Sequence, residues 1–186
     1  MTILAISGSL RAASTNTSLL RAAARLTPAG VTISLYDGLD DLPHFSPERD
    51  VDPAPESVSA LRAQLRQADA VMICTPEYIH GMPGVLKNML DWLASSGEFV
   101  YKPVSVISAG PSASGGSRAH ALLLHTMDVL TAHLPEGTSL IVPSVKTRLN
   151  AAGEITDPVL AQELQAVIAS LVNAVQRSSA KFESDQ

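Results

Sequence analysis

Five short apolar runs recur along the 186 residues with amphipathic helical patterns between them, and this alternation constrains the fold more than any other feature. The runs lie at residues 3–6, 31–35, 70–74, 104–107 and 139–142, and the second alternates through Val31, Ile33 and Leu35. Helical patterns are expected over 15–26, 57–68, 83–94, 118–132 and from Asp157-Pro158 to about residue 176. Strands separated by helices pair in parallel, because a parallel crossover is too long for a tight turn. The expected architecture is a doubly wound five-stranded parallel sheet with helices on both faces. Its strands are continuous apolar runs because both faces are covered. The composition agrees, with 46% hydrophobic and 17% charged residues.

The length suits a single domain over 1–177, followed by a polar tail over 178–186 that is expected to fray. The segment 37–54, rich in Pro and Asp, is expected to be irregular. A net charge of −5 without a Lys/Arg cluster excludes the electrostatic footprint of a nucleic-acid binder. The lone Cys74 excludes a disulfide framework and a CxxC metal pair, and is read as a small core residue. The chain opens directly on a strand pattern, and no uninterrupted apolar stretch approaches 18 residues. The expectation is a cytoplasmic protein with neither membrane nor nucleic acid as partner.

In doubly wound sheets ligands bind beyond the carboxyl ends of the strands, at the switch in strand order. The loop after the first strand reads Ser7-Gly8-Ser9-Leu10-Arg11-Ala12-Ala13-Ser14-Thr15-Asn16-Thr17. Hydroxyls of Ser9, Ser14 and Thr17, the Asn16 amide and the Arg11 fork exceed what a helix cap needs, so the loop is read as a phosphate seat. It is neither GxxxxGK[ST] nor GxGxxG, which disfavours a nucleoside triphosphate or a dinucleotide pyrophosphate there. A phosphate monoester suits it.

The loop after the third strand, Pro76-Glu77-Tyr78-Ile79-His80-Gly81-Met82-Pro83-Gly84, combines two prolines and two glycines with the flat Tyr78 and the soft Met82. Beside a phosphate loop it is expected to border a flat ring through backbone amides. His80 is assigned a backbone or packing role. Asn88 and Asp91 on the next helix are expected to tie it to neighbouring loops. His44, His120, His125 and His133 are too scattered for a metal site and are expected at surface or capping positions.

Taken together, Gly8-Ser9-Leu10-Arg11, Ser14 and Asn16, then Pro76-Glu77-Tyr78, Pro83-Gly84-Val85-Leu86-Lys87-Asn88 and Asp91-Trp92, resemble the NADPH-dependent FMN reductase family. That family includes chromate-, quinone- and azo-reducing members. The resemblance implies a flavodoxin-like fold that binds FMN. It places Ser9, Arg11, Ser14, Asn16 and Thr17 at the phosphate and Pro76, Glu77, Tyr78, Ile79, His80 and Gly81 beside the ring. Ser108, Gly110 and Gly115 would close the other side. Hydride would pass from NADPH (or NADH) to the flavin, then to a small-molecule acceptor such as a quinone, azo compound, chromate or free flavin. This scheme requires no catalytic side chain. A homodimer or homotetramer is implied, with the helix after Pro83 and the segment 37–54 as interface elements.

One departure is visible: many members carry Asn after the Tyr, where this chain has Ile79. A side-chain contact to the flavin at that position would be lost, whereas a backbone contact would be kept. The rival reading is a non-enzymatic, flavodoxin-like electron carrier or a flavin-binding protein without turnover. Flavodoxins have a more Thr/Gly-rich phosphate loop and a more acidic surface, and this chain has neither.

Overall fold

The computed structural model describes residues 1–184. Five strands, β1 (Thr2–Ser7), β2 (Thr32–Tyr36), β3 (Ala70–Thr75), β4 (Val104–Ala109) and β5 (Ser139–Val142), form one sheet in the order β2-β1-β3-β4-β5. Every pairing is parallel. This is the flavodoxin-like order, whose switch point lies between β1 and β3. β3 and β4 are buried along their whole length, as the middle of a covered sheet requires, whereas β2 and β5 expose alternate residues.

The helices are α1 (Thr15–Arg25), α2 (Glu56–Gln67), α3 (Gly84–Trp92), α4 (Ser117–Val129) and α5 (Pro158–Ser184). They divide between the two faces. Leu61 and Leu65 of α2, Leu86 and Met89 of α3, and Leu123 and Met127 of α4 pack with Ile6, Ile73 and Val106 on one side. Leu19 and Leu20 of α1 and Leu160, Leu164 and Leu171 of α5 pack with Ile3, Met72 and Ile107 on the other. Each helix repeats its buried residues at three- and four-residue spacing, which turns one stripe to the sheet.

Several boundaries differ from the sequence reading, each for a local reason. β4 runs two residues further than expected, so Ser108 is a fully buried strand residue and not part of a loop. Pro83 stands one place before α3, at its cap. The stretch expected to be irregular contains short 3₁₀ turns at 38–41 and 47–49. It is pinned to α3: Asn88 accepts from the Phe45 amide at 2.8 Å, while the Asn88 amide and the Trp92 indole both donate to the Pro43 carbonyl. Phe45 also meets the Trp92 ring edge-on at 5.2 Å. Asn88 is therefore the tie that the sequence suggested, whereas Asp91 pairs within its own helix with Lys87. Of the four scattered histidines, His120 is the exception to surface placement, being 4% exposed.

α5 continues to Ser184, past the expected end near 176, because neither Gly nor Pro follows Pro158 to stop it. The rest of the expected tail, residues 185 and 186, lies outside the described residues. By length and composition the Pro158–Ser178 part of α5 is apolar enough to cross a membrane. In this fold its apolar stripe covers the sheet.

Candidate functional site

At the switch point, the loops after β1, β3, β4 and β5 enclose a cleft of about 320 Å³. The first loop turns at Gly8, whose amide donates to the Cys74 carbonyl at 2.8 Å. A Cβ on Gly8 would stand 3.0 Å from Leu86 and 3.1 Å from the Thr75 hydroxyl, so a larger residue would press the loop away from β3. Ser9, Arg11 and Ser14 all reach the cleft. Ser14 caps α1 by accepting from the Thr17 amide at 3.3 Å, so it serves the helix as well as facing the cleft. The Thr15 and Asn16 amides of the first turn have no helical carbonyl behind them. Arg11 is exposed and makes no ion pair among the described residues. Hydroxyls, open amides and an uncommitted guanidinium at one helix amino end fit a phosphate monoester.

Two residues of that set are committed elsewhere. Asn16 borders the cleft, yet it is 3% exposed, and its side chain accepts from the Cys74 thiol at 3.1 Å and donates to the Ala109 carbonyl at 3.4 Å. It joins α1 to the ends of β3 and β4. Thr17 does not border the cleft; its hydroxyl shares a hydrogen bond of 2.8 Å with Ser7. Cys74 is fully buried, and burial pushes its thiol pKa up, which agrees with a core role.

Pro76, Glu77 and Tyr78 form the second wall. Tyr78 and Gly81 exchange both backbone hydrogen bonds, at 2.9 and 3.0 Å, around a two-residue turn. Ile79 and His80 occupy its centre with φ of 49° and 61°. Positive φ at both central positions defines a type I′ turn, which favours Asn and Gly. Ile79, His80 and Gly81 lie outside the cleft lining, and the Ile79 side chain is 98% exposed.

Glu77 directs its carboxylate to the start of α4. One oxygen accepts from the Arg118 amide at 2.9 Å and the Ala119 amide at 3.1 Å, at the start of α4. The other lies 3.4 Å from His80 Nδ1. The Ala119 amide, with help from His80 and the Arg118 amide, holds the Glu77 carboxyl below the usual carboxylate range.

The third wall is Ala109, Gly110, Pro111 and Ser112, with Gly116 behind them. Gly115 has φ of 59°, and a Cβ there would meet Ile141 at 2.7 Å and the Pro143 nitrogen at 2.8 Å. It shapes the turn without bordering the cleft. Ser108 does not border it either, and its buried hydroxyl has no hydrogen-bond partner among the described residues. Val145 and Lys146, after β5, complete the lining. The sequence reading assigned them nothing. The available signal was that β5 ends at the same edge of the sheet as the other ligand loops.

Beside this cleft lies an apolar hollow of about 360 Å³ between Leu10, Tyr78, Pro83 and Val85. Leu10 and Tyr78, each 47% exposed, carry the apolar surface outward.

Residues 1–147 match the sequence family described as NADPH-dependent FMN reductase. The NADH:(hydroxy)cinnamate reductase subunit CrdA of Vibrio ruber is 36% identical over 175 residues, covering 92% of this chain and 86% of the relative. The quinone reductase of Escherichia coli K12 is 32% identical, covering 72% of this chain and 74% of the relative. Among solved structures, the flavoenzyme NAD(P)H:(acceptor) oxidoreductase FerB of Paracoccus denitrificans superposes with a TM-score of 0.85 at 28% identity, over 95% of this chain and 97% of FerB. The phosphate-type first loop, the 2-1-3-4-5 sheet and these matches converge, and the chain belongs to the NADPH-dependent FMN reductase family of oxidoreductases.

Proposed function

We propose that the cleft seats FMN with its phosphate at the amino end of α1 and its ring between the loops after β3 and β4. The protein would pass electrons from NAD(P)H to a small organic acceptor. The observation that carries this reading is the convergence of Ser9, Arg11 and Ser14 on one helix end inside the cleft that Pro76, Tyr78 and Gly110 also border. Arg11 supplies a charge-assisted, two-pronged contact to phosphate, and the Ser9 and Ser14 hydroxyls supply directed hydrogen bonds. FMN, when bound, supplies the hydride-accepting chemistry, and the protein's part is position and electrostatics.

The hollow formed by Leu10, Tyr78, Pro83 and Val85 offers apolar surface beside the ring position and suits a flat aromatic acceptor of the quinone type. No general acid or base is needed from His80, whose ring is exposed and turned toward Glu77. The exposed apolar residues Leu10, Tyr78 and Ile79 on this rim and Leu122 on α4 support assembly as a homodimer or homotetramer through this edge of the molecule. A cytoplasmic setting, with neither membrane nor nucleic acid as partner, completes the reading.

The test is spectroscopic. Purified protein should bind FMN in a one-to-one ratio, and anaerobic NADPH should bleach the yellow flavin within a turnover. A protein that neither carries nor takes up FMN, or a bound flavin that NADPH leaves unchanged, would overturn the reading. Acceptor profiling should then rank quinones above chromate.

A further inference from the structure

Two helix amino ends border the cleft, and the chain treats them differently. α1 is capped by Ser14, which satisfies one amide and leaves the Thr15 and Asn16 amides open. α4 follows Gly116, which has no side chain to cap it. The Arg118 and Ala119 amides are instead both taken by one carboxylate oxygen of Glu77, brought in from 41 residues earlier. A Cβ built on Gly116 would lie 3.4 Å from the Cβ of Glu77, so glycine at 116 lets the two loops close on each other. Each helix end carries a similar partial positive charge and would attract a phosphate.

Resting on the FMN reading above, we infer that Glu77 is a positioning residue acting as an internal anion: it fills the α4 end, ties loop 76–81 to the loop before α4, and leaves the α1 end as the phosphate seat. The flavin's direction in the cleft is then set by which helix end is already occupied. A negative carboxylate at α4 also repels a second anion from that side. The Glu77 contact to His80 is longer and secondary, since it uses the other carboxylate oxygen.

The variants E77A and E77Q in the full chain test this, with E98A as a distant control. Glu98 pairs with Arg66 at 2.8 Å and precedes β4 in the chain, at the end of the strand opposite the cleft. In flavin-free protein, E77A should exchange the Arg118 and Ala119 amide hydrogens at least about tenfold faster, because two charge-assisted hydrogen bonds are gone. Its affinity for FMN, read by quenching of flavin fluorescence, should fall about tenfold to a hundredfold. Inorganic phosphate should raise the melting temperature of flavin-free E77A more than that of the wild type, since the α4 end is now open. E77Q keeps an acceptor oxygen but no charge, so it should keep part of the amide protection and show a phosphate response between those of the wild type and E77A.

Folded E77A with wild-type amide exchange and FMN affinity within about twofold would overturn the proposal. So would E98A weakening FMN as much as E77A does. If E77A does not fold, a phosphate response in E77Q equal to that of the wild type overturns it instead. If the wild type binds no FMN, the cofactor reading fails, while amide exchange and the phosphate response still decide the role of Glu77.

Discussion

Ile79 is a β-branched residue held at φ of 49° with its side chain 98% exposed. The left-handed region is disfavoured for such a residue, and no packing within the chain offsets the cost. The turn persists because Tyr78 and Gly81 fix both of its ends by hydrogen bonds. Ile79→Asn should therefore stabilise the flavin-free protein by about 1 kcal/mol in urea denaturation. FMN affinity should not change, because the Ile79 side chain points away from the cleft. A large change in affinity would instead show a side-chain contact to the cofactor. Arg11 makes the opposite case, being exposed and without an ion pair among the described residues. Arg11→Ala should leave stability within about 0.5 kcal/mol of wild type. It should weaken FMN binding about tenfold, measured by fluorescence titration, because a charged hydrogen bond to phosphate is lost.

Among the elements, α3 couples the segment 37–54 to the sheet. Asn88 uses both ends of its amide on backbone groups of residues 43 and 45, and shares the Pro43 carbonyl with the Trp92 indole. Asn88→Ala should cost about 2 kcal/mol, because it leaves the part-buried Phe45 amide without its acceptor, while the Pro43 carbonyl keeps only the Trp92 indole. Limited proteolysis should then cut within 37–54 first. The same element shows where sequence reading stops. The strands and helices were legible because burial imposes periods of two and 3.6 residues on the chain. The phosphate loop was legible too, because Gly8, Ser9, Arg11 and Ser14 are close together in sequence. The Glu77 cap on α4 and the inward turn of Asn16 were not legible. Each joins residues far apart in the chain through one or two hydrogen bonds, which leave no periodic trace. Ser108 was misplaced for a related reason: a serine next to Ala and Gly reads as loop, whereas strand register carries it into the core.

For the whole molecule, the most consequential buried titratable group is His120. It lies on α4, 4% exposed, with Nε2 bonded to the Ser139 hydroxyl at 2.7 Å and Nδ1 without a partner among the described residues. Burial lowers its pKa from the ordinary 6.5, so the folded protein holds it neutral. In the unfolded chain it regains the ordinary value and binds a proton more readily than in the fold. Unfolding therefore takes up a proton as pH falls below about 6.5, and stability declines until pH reaches the lower, folded value. Within that window the slope from this one group is at most about 1.4 kcal/mol per pH unit. The carboxylates of Glu77 and Asp157 have depressed values, so their contributions are lost at lower pH, through and below the ordinary carboxylate range. The two regimes are separable: urea midpoints should fall between pH 7.5 and 5.5 in the wild type. In His120→Gln, which lacks the titration, the same pair of midpoints should differ much less. An equal fall in both proteins would place the proton uptake elsewhere than His120.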